Sequence, residues 1–220
     1  MKKALVLLSG GQDSTTCLFW AIEKFGRENV YALGYDYGQR HVAELTFAQA
    51  ICDAQGISFS VVALPAIREL TDNALTNQSR SVDICKPHDA PPNTLVEGRN
   101  MLFLTYAAIF AKTRGISVLV TGVCETDFSG YPDCRDVFIK SCNVTLSLGF
   151  DYAFEVETPL MWLTKAETWA LAARLGVLDL VREQTLTCYN SVRGDGCGNC
   201  PACALRKKGY EIYVRNQENI

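Results

Sequence analysis

Short apolar runs alternate along the chain with longer segments in which apolar residues recur every three or four positions. Continuous apolar runs of a few residues are typical of strands that are covered on both faces of a parallel sheet. Such runs predict strands at residues 3–8, 30–36, 58–64, 118–122 and 154–158. The segments with helical spacing predict helices at residues 15–25, 41–55, 98–114, 136–148 and 165–175. This order predicts an α/β fold with a doubly wound parallel sheet of about five strands.

Two further segments need separate interpretation. Residues 65–97 show little periodicity and contain three prolines between positions 87 and 92, so we expect a functional flap or loop there. Residues 204–213, ALRKKGYEIY, are interpreted as a solvated helix.

In the predicted helix at 98–114, one apolar face is expected to pack in the core, and its members are Met101, Leu102, Leu104, Ala108 and Ile109.

The composition favours a compact chain with one main core. The 220 residues, 48% of them hydrophobic, suffice for one domain at residues 1–180 and a smaller subregion at 181–220 packed on it. The net charge of −3 argues against general affinity for nucleic acid, because phosphate binding needs clustered Lys and Arg. The early apolar stretch at residues 4–8 is too short for a secretory signal, and no run reaches the roughly 20 residues of a membrane span. We therefore predict a cytoplasmic protein.

The segment LLSGGQDSTTCL, residues 7–18, lies where the first strand meets the first helix. Gly10 and Gly11 allow backbone N–H groups to approach an anion, and Asp13 or Ser14 is expected to cap the helix. The positive end of that helix attracts phosphate, so the predicted ligand is a phosphate chain. The segment is not a Walker A loop, because no lysine follows the glycines. An ordinary glycine-rich turn between strand and helix is the alternative.

Four of the ten cysteines crowd near the C-terminus, in the segment CYNSVRGDGCGNCPAC. Four thiolates favour a tetrahedral structural zinc site, with glycines relieving the crowded turn. The expected ligands are Cys188, Cys197, Cys200 and Cys203. A redox disulfide and an iron–sulfur cluster are the alternatives, although Lys207 stands where a bacterial ferredoxin run would continue with Cys-Pro.

Residues 9–14, SGGQDS, resemble the signature of the PP-loop ATP pyrophosphatases, which split ATP between the α- and β-phosphates. With DYGQRH, EGRNMLFL, SGYPDCR, PLMWLTKAET and TCYNSV…GCGNCPACALR, the chain is similar nearly end to end to the 7-cyano-7-deazaguanine (preQ0) synthases. The resemblance implies a nucleotide α-hydrolase-like, Rossmann-type fold with a C-terminal Zn²⁺ subregion. It implies ATP-dependent conversion of 7-carboxy-7-deazaguanine and ammonia to the nitrile through an adenylated carboxylate and an amide, in queuosine biosynthesis. Glu97 departs from the pattern, since proline is more usual there.

The resemblance also implies a set of site residues. Asp13, Arg99 and Lys165 are expected to be catalytic, with Asp13 helping to hold Mg²⁺. ATP is expected to contact Leu8, Ser9, Gly10, Gly11, Gln12, Asp13, Ser14, Thr15, Arg99, Asn100 and Lys165. The substrate is expected to contact Asp127, Tyr131, Asp133 and Arg135, with Asp133 on the guanidine-like edge and Arg135 on an anion.

Each of these assignments has a structural alternative. Arg99 fits a solvated side chain at a helix start, Thr164 and Glu167 form a potential capping box beside Lys165, and residues 127–135 fit a polar turn. His41 is interpreted as an ordinary surface histidine. The expected partners are small-molecule substrates and a second copy of the chain, with no direct nucleic-acid or membrane binding. Two rival functions stay open: a PP-loop enzyme that modifies tRNA directly, and a non-catalytic zinc-ribbon binding module.

Overall fold

The structure, a computed structural model, describes residues 2–77, 79–83, 92–126 and 131–218. Within these residues, five parallel strands form one sheet in the order β3-β2-β1-β4-β5. The strands are β1 Ala4–Leu7, β2 Val30–Asp36, β3 Ser58–Ala63, β4 Val118–Val120 and β5 Glu155–Glu157. The predicted doubly wound sheet is confirmed.

The α-helices of the described residues include all five that the apolar periodicity predicts. They are α1 Gln12–Phe25, α2 Glu44–Gln55, α3 Ala66–Leu70, α4 Arg99–Lys112, α5 Asp136–Phe150, α6 Lys165–Arg174, α7 Leu178–Gln184 and α8 Pro201–Glu218. The N-cap of α1 is Gly11, so the expectation that Asp13 or Ser14 caps this helix is wrong. Both lie inside its first turn, because the chain turns into the helix directly after the glycines.

Helices cover both faces of the sheet, as the continuous apolar strands require. Leu5 and Leu7 of β1 point into the core beneath α4 and α5, while Ala4 and Val6 point into the core beneath α1 and α2. Helix α4 buries a narrow stripe of mostly small residues: Leu104, Ala107, Ala108 and Ala111. The predicted apolar face of this helix is therefore partly wrong, because Met101, Leu102 and Ile109 are exposed.

A third, smaller core joins α6, α7 and α8 around the buried indole of Trp169. Helix α8 contains the segment predicted to be a solvated helix, yet Arg206 and Gly209 are buried there. A Cβ atom on Gly209 would lie 2.6 Å from Cγ of Lys165, so glycine permits the close approach of α8 to α6. The boundary predicted after residue 180 falls inside α7.

The order of the strands reverses beside β1. The chain first adds β2 and β3 on one side of β1, and then returns to add β4 and β5 on the other side. In doubly wound folds, ligands bind beyond the carboxyl ends of the strands at such a point. The segment 8–11 and the loop after β4 both lie there. None of the described helices is long and apolar enough to cross a bilayer.

Candidate active site

A cavity of about 320 Å³ opens at the carboxyl ends of β1 and β4. It brings together residues from the loop after β1, the start of α4, the loop after β4, the start of α6 and the segment after α7. The predicted site residues that line it are Leu8, Ser9, Gly11, Gln12, Asp13, Ser14, Arg99, Asn100, Tyr131 and Lys165. Gly10, Thr15, Asp133 and Arg135 are not among the lining residues, and Asp127 lies outside the described residues.

The turn after β1 is held in shape by its own hydroxyl groups and by close packing on α2. The hydroxyl oxygens of Ser9 and Ser14 lie 3.0 Å apart, and the backbone N–H of Gly11 donates to Ser9 Oγ over 3.3 Å. Gly10 has a φ of +88°, and a Cβ atom there would lie 2.3 Å from the backbone oxygen of Glu44. Glycine is therefore required at this position on two independent grounds.

Lys165 and Asp13 form an ion pair across the cavity. Nζ of Lys165 lies 3.0 Å and 2.9 Å from the two carboxylate oxygens of Asp13, and the lysine side chain is only 10% exposed. The capping box of Thr164 and Glu167 is also present. A lysine in the first turn of a helix opposes the helix dipole, and the Asp13 carboxylate offsets this cost.

Arg99 is the first residue of α4, and Gly98 before it has a φ of +68° that turns the chain into the helix. Nη1 of Arg99 donates to Tyr37 Oη over 3.3 Å, and the guanidinium lies 6.0 Å from the ring centres of Tyr37 and Phe103. The arginine is therefore anchored among aromatic rings at the cavity. This contrasts with the alternative of a solvated side chain.

The predicted substrate residues occupy different positions. Tyr131 lines the cavity, and its hydroxyl lies 2.6 Å from Thr94 Oγ1. Oδ2 of Asp133 accepts the backbone N–H of Asn100 over 2.9 Å, so this buried carboxylate caps the start of α4. Arg135 is exposed at the start of α5.

An aromatic wall that sequence reasoning did not predict lines the cavity around Arg99. It consists of Tyr35, Tyr37, Phe103 and Tyr189, together with the predicted Tyr131. The rings of Tyr35 and Phe103 are stacked with centres 4.1 Å apart. Tyr35 lies near the carboxyl end of β2 and Tyr37 directly follows this strand, in the DYGQRH segment. Their place at the carboxyl end of a strand was the signal in the sequence that could have identified them.

His41 and Glu44 also line the cavity, so the interpretation of His41 as a surface residue is wrong. His41 Nε2 lies 3.5 Å from Glu44 Oε2, and Gln39 Nε2 donates to Glu44 Oε1 over 3.3 Å. Burial raises the pKa of Glu44 to about 8, although the Gln39 hydrogen bond and Arg99 oppose the shift. Burial, with Arg99 and Arg40, lowers the pKa of His41 to about 4.

The four predicted zinc ligands come together beside the cavity. The Sγ atoms of Cys188, Cys197, Cys200 and Cys203 all lie within 4.8 Å of one another. Tetrahedral zinc with bonds of about 2.3 Å would place its sulfur ligands roughly 3.8 Å apart, so this donor set fits the ion. A Cβ atom on Gly196 would lie 2.2 Å from Cys203 Sγ, which explains the glycine in the turn.

Hydrogen bonds prepare one of these sulfurs as a thiolate. Burial alone would raise the pKa of Cys197, but hydrogen bonds from the Asn190 side chain and the Asn199 backbone lower it to about 6. A thiolate is the form that binds metal.

The chain between α7 and the cysteine cluster also holds the turn after β1. The backbone N–H of Leu186 donates to Gly10 O over 2.9 Å, and that of Gln12 donates to Thr187 Oγ1 over 3.1 Å. The buried guanidinium of Arg206 donates to Thr187 Oγ1 over 2.9 Å. Helix α8 contributes Cys203 and, through Thr187, also supports the turn after β1. This turn, residues 8–11, is the phosphate-loop candidate.

Comparisons with known proteins agree with this architecture. Among solved structures, a predicted tRNA methyltransferase subunit from Methanocaldococcus jannaschii has a TM-score of 0.50 and 18% identity, covering 79% of this chain and 75% of that one. The U34-tRNA thiolase NcsA from Methanococcus maripaludis, solved with its [4Fe-4S] cluster, also has a TM-score of 0.50, with 15% identity. It covers 99% of this chain and 67% of that one. At these identities the likeness concerns the fold alone.

Sequence relatives are much closer. The 7-cyano-7-deazaguanine synthase of Clostridium acetobutylicum is 56% identical over 214 residues, covering 97% of this chain and 96% of the relative. The 7-cyano-7-deazaguanine synthase of Phocaeicola vulgatus is 57% identical over 211 residues, covering 96% and 94%. Residues 3–214 match the family described as "Queuosine biosynthesis protein QueC". The chain therefore belongs to the QueC family.

Proposed function

We propose that the protein converts 7-carboxy-7-deazaguanine and ammonia to 7-cyano-7-deazaguanine at the expense of ATP, in queuosine biosynthesis. The observation that carries the proposal is the shared cavity, in which the SGGQDS turn faces Arg99 and the Lys165–Asp13 pair beside an aromatic wall. This arrangement suits an anionic nucleotide next to a flat heterocycle. The names of the close relatives support the same reaction.

The chemistry proceeds in two activations, each of which makes an oxygen a good leaving group. The substrate carboxylate attacks the α-phosphorus of ATP, pyrophosphate leaves, and ammonia then displaces AMP to give the amide. The amide oxygen is adenylated in the same way, and loss of AMP and of the two remaining N–H protons gives the nitrile. Each AMP thus carries away one oxygen of the original carboxylate.

The phosphate side is assigned to the turn after β1 and to the cations around it. Ser9, Gly11 and Ser14 offer hydroxyl and backbone N–H groups, and Lys165 and Arg99 offset the charge that develops on pyrophosphate. Asp13 is assigned to Mg²⁺, which when bound neutralises phosphate oxygens. In the structure this carboxylate is paired with Lys165.

The heterocycle is assigned to the aromatic wall, with Tyr131 as the predicted contact. Recognition of the guanidine-like edge by Asp133, of an anion by Arg135, and of substrate by Asp127 stay predictions. We assign Zn²⁺ to the four cysteines in a structural role, because four thiolates close the coordination shell and leave no position for substrate.

The test supplies purified protein with 7-carboxy-7-deazaguanine, ATP, Mg²⁺ and ammonium and identifies the products by mass spectrometry. We expect the nitrile, with two AMP and two pyrophosphate per nitrile, and one zinc per chain by elemental analysis. ADP in place of AMP, or no nitrile from zinc-replete protein, would contradict the proposal. Iron with visible absorbance would contradict the metal assignment.

Lys165→Met removes the cation that faces the phosphate loop. We expect AMP formation to fall by about 10²-fold or more, because a lost electrostatic contact in a catalytic site has this effect. Lys208→Met on the exposed side of α8 is the control and should leave the rate unchanged. An unchanged rate in Lys165→Met would remove this lysine from the mechanism.

We further propose that the enzyme acts on the free heterocycle, without binding tRNA, and as a homodimer. Helices α4 and α5 pack together and both carry exposed apolar side chains. These are Met101, Leu102, Tyr106 and Ile109 on α4, with Val137, Val144 and Leu148 on α5. Such surfaces are typical of interfaces rather than of solvated faces.

A further inference from the structure

The buried pair of His41 and Glu44 has no part in the adenylation chemistry described above. Its carboxyl group contacts Gln39 on one oxygen and His41 on the other, at 3.3 Å and 3.5 Å. Nδ1 of His41 is buried without a hydrogen-bond partner among the described residues. Unsatisfied buried polar atoms are rare in native proteins and need an explanation.

The two carboxyl groups that line the cavity within the described residues differ in their partners. Asp13 is neutralised by Lys165, whereas Glu44 has no lysine or arginine of the described residues within ion-pair distance and feels Arg99 only at longer range. Both lie beside the same turn, because the backbone of Glu44 packs directly against Gly10. Glu44 is therefore positioned to face a cationic ligand in the cavity that also faces the phosphate loop.

The proposed reaction delivers such a cation. At neutral pH the nitrogen source is mostly ammonium, which has no lone pair and cannot attack carbon until it loses a proton. On the way to the nitrile the nitrogen loses all of its protons. A base next to the reacting carbon is therefore required, and Asp13 is occupied by Lys165.

We propose that Glu44, supported by His41 and Gln39, binds the ammonium ion and accepts the protons that its nitrogen releases. In the first transfer an N–H bond breaks, an O–H bond forms on Glu44, and the freed electron pair attacks the adenylated carboxyl carbon. The C–O bond to the phosphate then breaks, and AMP leaves with the electron pair, while its phosphate takes the second of the two protons that the nitrogen loses on the way to the amide. The proton on Glu44 is released to solvent when AMP leaves the cavity. This proposal rests on the proposed function.

The electrostatics of the site support this assignment. With a pKa of about 8, Glu44 is largely protonated at pH 7 before a cation enters, and once ionised its carboxylate is a much stronger base than that of an ordinary glutamate. A bound ammonium ion favours its ionised form. The low pKa of His41 keeps the imidazole neutral at pH 7, so it does not repel the cation.

Glu44→Gln tests the proposal, because the amide keeps the shape of the side chain but cannot accept a proton. Three readouts separate the steps: exchange of labelled pyrophosphate into ATP without ammonium, nitrile formation from ammonium, and hydroxamate formation from hydroxylamine. Hydroxylamine is largely unprotonated at neutral pH and does not need the base. Glu69→Gln, the same change at an exposed position on α3, is the control.

We expect Glu44→Gln to lose about 10²-fold or more of the ammonium-dependent rate while exchange and hydroxamate formation persist. Glu44→Asp, which keeps a carboxyl group, should recover part of the rate, and it decides the question if Glu44→Gln does not fold. A wild-type rate in Glu44→Gln, joint loss of all three activities in both variants, or no recovery in Glu44→Asp would overturn the proposal. Absence of exchange in the unmodified enzyme would instead overturn the proposed function.

Discussion

At the scale of single residues, the shape of the phosphate-loop candidate depends on the absence of one side chain. Gly10 combines a left-handed backbone with direct packing against the backbone of α2. The same contact brings Glu44 to the cavity, so one glycine positions both the loop and the neighbouring carboxylate. A larger residue here would disturb two parts of the site together.

Gly10→Ala should therefore lower the free energy of unfolding by at least about 1–2 kcal/mol, the cost of a left-handed conformation for an L-residue. It should also weaken ATP binding, because the loop must move to relieve the 2.3 Å contact. Denaturant unfolding and calorimetric titration measure the two effects. The matched control is Gly149→Ala, in an open part of α5, which should be neutral or stabilising by up to about 1 kcal/mol. Equal behaviour of the two variants would contradict the argument.

At the scale of elements, the segment after α7 connects the cysteine cluster to the phosphate-loop candidate. Thr187 accepts hydrogen bonds from the Gln12 backbone and from Arg206, whose guanidinium also lies 5.0 Å from the Trp169 ring centre. A folded cysteine cluster thus fixes the start of α1 through a threonine hydroxyl. The cysteine cluster therefore supports the phosphate-loop candidate although none of its four cysteines is among the residues that line the cavity.

Thr187→Val removes that hydroxyl while keeping the shape of the side chain. The Gln12 N–H loses its acceptor and Arg206 Nη1 keeps only Thr185 Oγ1, and leaving a buried donor unpaired costs about 1–3 kcal/mol. We expect ATP binding to weaken by about 5–30-fold, with zinc content unchanged. Thr187→Ser retains the hydroxyl and should bind ATP nearly as the unmodified protein does. If Thr187→Val binds ATP as tightly as the unmodified protein, the hydrogen bonds of Thr187 do not contribute to ATP binding.

The elements differ in how far the sequence predicts them. The strands and long helices follow from apolar runs and periodicity, and the SGGQDS turn and the cysteine spacing are local patterns. Helices α3 and α7 contain only 5 and 7 residues, too few for a period to emerge. The Glu44–His41 contact is local, at i and i+3, but its burial at the cavity depends on how α2 packs against the turn after β1, which no local pattern encodes.

Surface exposure is likewise a property of tertiary packing. Met101 and Leu104 have the same apolar character in the sequence, yet Met101 is 52% exposed and Leu104 is 1% exposed. The stripe of alanines on α4 lies against the sheet because small residues permit close approach. The larger apolar residues of α4 face outward. Periodicity alone cannot distinguish this arrangement from a wide apolar stripe that faces the core.

At the scale of the whole molecule, this outward face bears on assembly. Helix α4 contains no acidic residue, and the single acidic residue of α5, Asp136, is paired with Lys140 over 2.6 Å. Two copies of a chain with a net charge of −3 can therefore meet on this face without opposing carboxylates. A twofold interface places the same patch on both partners, which suits a mainly apolar surface whose one carboxylate is already paired.

Leu148→Glu tests this assembly, because Leu148 is 78% exposed on α5 and its change should not disturb the core. A twofold interface would contain the new carboxylate twice, so both copies lose apolar burial worth about 1.5–3 kcal/mol per side chain and gain like charges. We expect the unmodified protein to have the mass of a dimer by light scattering, and Leu148→Glu that of a monomer. Leu70→Glu makes the same change at a position that is 82% exposed on α3 and should leave the dimer intact. A dimer that persists in Leu148→Glu would place the interface elsewhere, and a monomeric unmodified protein would exclude it.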